Sequence, residues 1–270
     1  MTSFTSLSDF IDRHRRLFVL TGAGCSTESG IPDYRDAEGN WKRAQPMTYQ
    51  AFMRNHDARQ RYWARSAIGW RHFSHVQPND AHRALARLEA AGRSELVLTQ
   101  NVDRLHQAAG STQVIDLHGR LDQVRCMGCD RCSPRREFQD ELDRLNPSWV
   151  GLEASDAPDG DADLEGPEVL SFIVPACRHC GGVLKPDVVF FGESVPRDRL
   201  EAAKAHLAQA DAMLIVGSSL MVHSGYRFAQ AAASAGKPIA AVNLGLTRAD
   251  AFLSLKVEEP CGVALAFLSD

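Results

Sequence analysis

An α/β fold is predicted for this chain: a parallel sheet that carries a small metal-binding module and an inserted helical module. Three observations predict it. Short apolar runs alternate with stretches of helical spacing, the pattern of βαβ units. Two Cys-x-x-Cys pairs, Cys126/Cys129 and Cys177/Cys180, break that rhythm once. The stretch 40–78, rich in Trp and Arg and without a strand pattern, breaks it again.

The elements follow in order. The segment before residue 17 reads as a short docking helix. Leu17–Thr21 is a buried strand by its β-branched and aromatic content, and it ends at Gly22-Ala23-Gly24. Ala81–Ala91 has helical spacing and stops at Gly92. Glu95–Thr99 is the second strand and Val114–Leu117 a short third. Leu200–Ala210 is a helix, Ala212–Val216 a strand, Tyr226–Ala235 an Ala-rich helix closed by Gly236 and Pro238, and Ile239–Val242 the next strand. Between the cysteine pairs, 151–167 holds six acids and no Lys or Arg, and reads as a solvated loop. Its Asp159-x-Asp161-x-Asp163 imitates a calcium loop. Leu164 stands where that loop needs Gly and Leu170 where it needs Glu, so calcium is excluded.

Composition bounds the function. The chain has 270 residues, 44% hydrophobic and 24% charged, with a net charge of −4. No apolar run approaches the ~20 residues of a membrane span. The charge offers no footprint for nucleic acid. The N-terminus carries Asp9 and Asp12 and lacks the apolar core of a secretory signal, so a cytoplasmic protein is expected. Seven cysteines, an odd number, argue against a disulfide framework.

The two Cys-x-x-Cys knuckles together close a tetrahedral zinc site. Four thiolates leave no position for water, so this zinc is structural. Cys129-x-x-Cys132 is an alternative register. Cys126 and Cys129 are favoured because they close the apolar segment 121–124. Glycines after a buried strand let a backbone approach phosphate oxygens. Thr27 occupies the third glycine position of the dehydrogenase fingerprint, and no acid stands about 20 residues on, which disfavours hydride transfer. Thr99-Gln100-Asn101-Val102-Asp103, His118-Gly119, Gly217-Ser218-Ser219 and Asn243-Leu244-Gly245 all follow strands. In an open parallel sheet, such ends build one crevice. An imidazole there has the pKa for proton transfer at neutral pH.

Together these residues resemble the sirtuin family from about Phe18 to Cys261. Gly30-Ile31-Pro32-Asp33-Tyr34-Arg35 and Lys185-Pro186-Asp187-Val188-Val189-Phe190-Phe191-Gly192-Glu193 complete the motifs. The Pro-Asp-Tyr-Arg variant, Arg61–Arg65 and the acidic insertion look most like class II, bacterial members of which lack a transit peptide. Cys25 and Tyr34 depart from the family's usual Ile and Phe.

The resemblance implies a lysine deacylase that consumes NAD and binds zinc. Gly22, Ala23 and Gly24 would cradle the diphosphate. Asp33 and Arg35 would fold over the nicotinamide ribose, with Tyr34 screening it from water. Gln100, Asn101 and Asp103 would hold the nicotinamide and its ribose. Gly217, Ser218, Ser219, Asn243, Gly245 and Cys261 would bind the adenosine half. The acyl oxygen would displace nicotinamide from C1′, and His118 would take a proton from a ribose hydroxyl, giving O-acyl-ADP-ribose. Asn101 is expected to share in catalysis. Val188, Val189 and Phe190 would pair with the substrate backbone.

Tyr62-x-x-Arg65 resembles the pair with which class III members hold carboxylated acyl groups. Residues three apart share a helix face, so a carboxylate pocket is expected beside a plain packing role. The implied domains are a Rossmann-like NAD-binding domain (1–39, 79–120 and 190–270), a helical module (40–78) and a zinc module (121–189). The expected partners are acylated-lysine proteins or peptides, met by a monomer without nucleic acid or membrane. Mono-ADP-ribosyl transfer is the alternative on the same site. A dehydrogenase or a non-catalytic zinc adaptor are the rivals outside it.

Overall fold

The computed structural model describes residues 6–42, 46–164 and 166–269; residues 43–45, near the start of the expected helical module, lie outside them. The strands among the described residues are β1 Leu17–Thr21, β2 Ser94–Thr99, β3 Val114–Asp116, β4 Gly119–Cys126, β5 Cys132–Pro134, β6 Ser155–Ala157, β7 Asp161–Asp163, β8 Leu184–Val188, β9 Ala212–Val216, β10 Ile239–Val242 and β11 Leu255–Val257. The helices are α1 Leu7–Arg13, α2 Tyr49–Arg54, α3 His56–Phe73, α4 Asp80–Ala90, α5 Leu105–Ala108, α6 Arg135–Leu145, α7 Arg197–Gln209, α8 His223–Ser234 and α9 Cys261–Ala264. The chain divides into two compact units, 1–44 with 77–117 and 195–270, and 45–76 with 118–194. The stretches expected as separate helical and zinc modules fall largely in the same unit.

The first unit is built on a six-stranded parallel sheet of order β11-β10-β9-β1-β2-β3. Alternation along β1 explains its two covered faces. Leu17 and Val19 enter a core with Phe10, Leu85 and Leu265, while Phe18 and Leu20 enter another with Leu207, Ile215 and Phe228. Both faces being dry, the strands read as continuous apolar runs. The order reverses between β1 and β9, so the C-terminal ends of these two strands form the switch point where such sheets bind ligands. The edge strand β11 was not expected from the sequence. Its three half-buried residues are too few to show a period.

The second unit packs α2, α3 and α6 with an antiparallel sheet of order β5-β4-β8 around Trp63, Phe138, Trp149 and Phe172. Here the structure corrects the solvated loop. Residues 155–163 form the hairpin β6–β7, which buries Ala157 and Ala162 and packs on α3. Acids dominate its count, but its small apolar residues face inward and its Asp161 is paired. Gly119 opens β4 at φ 85°, and a Cβ there would stand 2.0 Å from the Asp187 carbonyl oxygen. Gly119→Ala is therefore expected to cost at least ~1–3 kcal/mol, read as a lower midpoint in thermal unfolding; an unchanged midpoint would show that the turn relaxes freely.

Candidate active site

The turn after β1 is held by its neighbours. The Gly22 N–H donates to Val216 O (3.2 Å) and the Gly24 N–H to Gly217 O (2.9 Å). Ala23–Cys25 form one 3-10 turn. Gly217 sits at φ 61°, and a Cβ on it would lie 2.1 Å from the Cys25 nitrogen, so only glycine lets these two strand ends meet. The result is a backbone cradle lined by small residues at the switch point.

The polar residues after β2 converge on that turn. The Asn101 amide donates to Gly22 O and to Ser26 Oγ, both at 3.0 Å. Ser26 donates in turn to Asp103 Oδ2 (2.7 Å), and the Leu105 N–H donates to the other carboxylate oxygen (2.9 Å). Burial pushes the Asp103 carboxyl up, and those hydrogen bonds oppose the shift. Ser218 Oγ donates to Gln100 Oε1 (2.6 Å), which ties β2 to β9. Cys261 lies buried with its Sγ 3.6 Å from Gly24 O, and burial pushes its thiol up to about 12.

The other predicted residues of this unit are placed as follows. Asp33 pairs with Lys42. Arg35 donates to Gly39 O (2.7 Å) and lies 3.8 Å over the Trp41 ring, whose edge meets Tyr34. The loop after Pro32 is thus closed on itself. The Asn243 amide donates to Leu244 O (3.0 Å) and Gly245 O (3.3 Å), and the neighbouring Leu246 N–H bonds to Ala37 O (2.8 Å). The Ser219 carbonyl accepts from Arg248 N–H (2.8 Å).

Ser26, His82 and His106 had no predicted role. Both histidines are buried beside the turn, their rings 4.8 Å apart. Burial lowers His82 to about 4 and takes His106 well below the usual range. A hydroxyl directly after the glycine turn is the one sequence feature that could have pointed to Ser26.

In the second unit, His118 is half-buried in the turn before β4, and its carbonyl accepts the Val189 N–H (2.7 Å). Gly119 pairs with Val188. The histidine turn and the strand end at 188–189 are therefore one backbone ladder. Lys185, nearly fully buried, braces it through Val188 O and Glu193 (3.1 Å), while Glu193 accepts the Phe190 N–H (2.9 Å). The sequence reading gave that ion pair no role.

Tyr62 and Arg65, read as a carboxylate pocket beside a plain packing role, have the contacts of packing. Tyr62 packs on Phe52 and Phe190, at ring separations of 5.3 and 5.2 Å, and burial pushes its phenol up. Arg65 grips Asp161 with two donors (3.1 and 2.7 Å) and Ala162 O with one (2.9 Å). Its fork already holds a carboxylate, one supplied by the hairpin that the sequence reading left in solvent.

The sulfurs of Cys126, Cys129, Cys177 and Cys180 lie within 4.8 Å of one another, with the pairs 126/180 at 3.4 Å and 129/177 at 3.8 Å. Sulfurs ~2.3 Å from a tetrahedral zinc stand ~3.8 Å apart, so these residues fit the ion. The N–H groups of Gly128 and Gly182 point at Cys126 and Cys180 (3.4 Å each), which favours thiolate. Cys132 is exposed and lies outside this group.

Residues 22–224 match the Sir2 family. NAD-dependent protein deacetylase 2 of Bradyrhizobium diazoefficiens is 71% identical over 97% of this chain and 96% of its own length. The NAD-dependent protein deacetylase of Xanthomonas campestris pv. campestris is 68% identical over 97% and 90%. Among solved structures, a Sir2–p53 peptide–NAD+ complex shares 31% identity with a TM-score of 0.77, covering 97% of this chain and 94% of that one. A Sir2 bound to acetylated peptide shares 30% identity with a TM-score of 0.74, covering the same shares.

Proposed function

This chain belongs to the Sir2 family, and from that membership we propose that it is an NAD-dependent protein lysine deacylase that also holds one structural zinc. The observation that carries the reading is the ladder joining His118 and Gly119 to Val188 and Val189. It fixes a candidate base against β8, the edge strand of its sheet, where an extended peptide can add.

NAD supplies the anomeric carbon that releases nicotinamide and the ribose hydroxyl that receives the acyl group. The chain's own residues do the rest. Gly22–Gly24 and the Gly217 turn present backbone to the diphosphate. Asn101 is oriented by Gly22 O and Ser26, so its amide faces the site in one pose. Asp103 would hold ribose hydroxyls, and Gln100 would act with Ser218. Asp33, Tyr34 and Arg35 would cover the ribose, while Ser219, Asn243, Gly245 and Cys261 would serve the adenosine half. His118 accepts the proton of the attacking hydroxyl at a ring nitrogen. Val188–Phe190 align the acylated lysine. Cys126, Cys129, Cys177 and Cys180 hold the zinc, whose role is closure of the small sheet.

The substrates in this reading are acylated-lysine proteins, taken by a monomer without nucleic acid or membrane. No helix among the described residues is long and apolar enough to cross a membrane. The cytoplasm is the compartment we assign, because an oxidising one would couple thiols that lie this close.

A panel of acetyl-, lipoyl-, succinyl- and 3-hydroxy-3-methylglutaryl-lysine peptides with NAD tests the proposal. Nicotinamide is expected to appear only with an acylated peptide, together with deacylated lysine. Formation of NADH, or nicotinamide release indifferent to the peptide, would overturn it. Transfer of ADP-ribose to protein with the acyl group intact would favour the alternative.

The same panel addresses Arg65. Because Asp161 already fills its fork, Arg65→Met is expected to lower stability by about 1 kcal/mol and to leave the succinyl-to-acetyl rate ratio unchanged. A selective loss on the succinyl peptide would restore the carboxylate pocket.

A further inference from the structure

Behind the glycine turn, Cys25, His82 and His106 each bring a ligand atom to within 4.8 Å of the other two. They come from the turn, from α4 and from α5, and they are 0%, 0% and 1% exposed. The four-cysteine site is elsewhere, in the other unit.

The hydrogen bonds around them bear on which ring nitrogens are open to a ligand. Thr21 Oγ1 donates to Thr99 Oγ1 (2.8 Å), so toward His106 Nε2, 2.9 Å away, it can only accept. Nε2 therefore holds the proton, and Nδ1 keeps its lone pair. That Nδ1 is buried and has no hydrogen-bond partner. Around His82, the Asn79 amide nitrogen donates to Cys25 O (2.8 Å), which turns Asn79 Oδ1 toward the ring. His82 Nδ1 lies 2.9 Å from that oxygen and also faces the Asn79 backbone N–H at 3.3 Å; donation to the oxygen, the shorter contact, leaves a lone pair on Nε2, and acceptance from the N–H puts the proton there. His82 Nε2 lies 3.5 Å from Ser26 Oγ, whose single hydrogen goes to Asp103. Two imidazoles, one of them with a nitrogen that has no hydrogen-bond partner, and a thiol thus lie together in a buried space. A buried ring nitrogen left without a partner is costly and needs a reason.

We infer that Cys25, His82 and His106 form a second metal site, one that takes a thiophilic divalent transition ion of the zinc class. One thiolate with two imidazoles suits zinc or cobalt and not magnesium or calcium. Donors ~2.0–2.3 Å from such an ion lie ~3.3–3.8 Å apart, so the three need close by at most about 1.5 Å. Ser26 Oγ or a water completes the tetrahedron. On binding, a metal–sulfur bond forms as the Cys25 S–H proton leaves to solvent, and the imidazoles give up no proton. Thr21 and Asn79 stand where partners that orient metal-bound histidines stand.

The full-length zinc-loaded enzyme is held in Co²⁺ and freed of loosely bound ion. Metal per chain is then counted by mass spectrometry, and thiolate-to-cobalt charge-transfer absorption is recorded. Entry is expected to be slow, because buried donors are reached only by local opening. The parent is expected to gain one ion per chain with a thiolate band. Cys25→Ser and His106→Gln are expected to weaken that uptake at least ~10-fold, while Cys132→Ser keeps it. Thermal unfolding without added metal checks that the variants fold, and Cys25→Ser, which exchanges one atom, carries the test if His106→Gln does not. A parent that gains no ion, or a gain that survives both substitutions, overturns the site. Because the reading is a difference between parent and variant, it stands apart from how much zinc the four cysteines hold.

Discussion

Replacing His118 with alanine is expected to lower deacylation ~10²–10⁴-fold while the protein stays folded. The magnitude follows from losing a positioned base. The specificity follows from how His118 is built in. Its carbonyl holds Val189 and the adjacent Gly119 pairs with Val188, and both contacts are backbone contacts that alanine keeps. The substrate strand should therefore survive, and KM for the acyl peptide should move little while kcat collapses. Circular dichroism and thermal unfolding check the fold, and kcat and KM are read on the acetyl peptide. A folded variant with near-parental turnover would remove His118 from the mechanism. A rise in KM alone would make it a docking residue.

Cys177→Ser is expected to empty the zinc site and open the second unit. Cys177 sits among the four sulfurs and is nearly buried, so a poorly ligating hydroxyl there leaves three thiolates and an incomplete shell. Sites of this kind contribute ~10–16 kcal/mol apparent in zinc-finger peptides, far more than the pairing of β4 with β5 and β8 supplies alone. Metal content should fall to zero, and limited proteolysis should cut within 118–194 before it cuts the parallel sheet. Cys132→Ser should keep both metal and resistance, since its thiol faces solvent. Zinc lost from Cys132→Ser, or retained by Cys177→Ser, would place the ligands differently.

Both predictions rest on local patterns that were legible in the chain. Leu17–Thr21, Ala212–Val216 and Ile239–Val242 are long apolar runs with clear stops, and they fall where the structure has strands. The cysteine spacing is legible because a knuckle needs only four residues. What was hidden depends on distant partners. Arg65 seemed to offer its charge to a ligand because Asp161 lies far along the chain in a segment whose acids suggested solvent. Only the burial of Ala157 and Ala162 reveals a docked hairpin there. Cys25, His82 and His106 share no spacing at all, and each has a bland reading by itself: a small apolar residue, a capping residue and a helix residue. Their meeting is a product of topology.

The division of the chain also bears on synthesis. β1 is paired on one side by β2 and on the other by β9, Leu17 facing Ala212. A nascent chain that has emerged as far as Ser194 holds every residue of the second unit but only β1, β2 and β3 of the parallel sheet. One edge of β1, apolar from Leu17 to Leu20, must then wait for β9 while translation continues at ~5–20 residues per second. During those seconds the chain holds all the residues of the second unit but an incomplete parallel sheet, with an open strand edge that can pair with another chain. The aggregation liability of this chain therefore falls late in translation, while the β9 side of β1 is unpaired. Truncations that remove β9 should yield aggregates in place of a smaller folded enzyme.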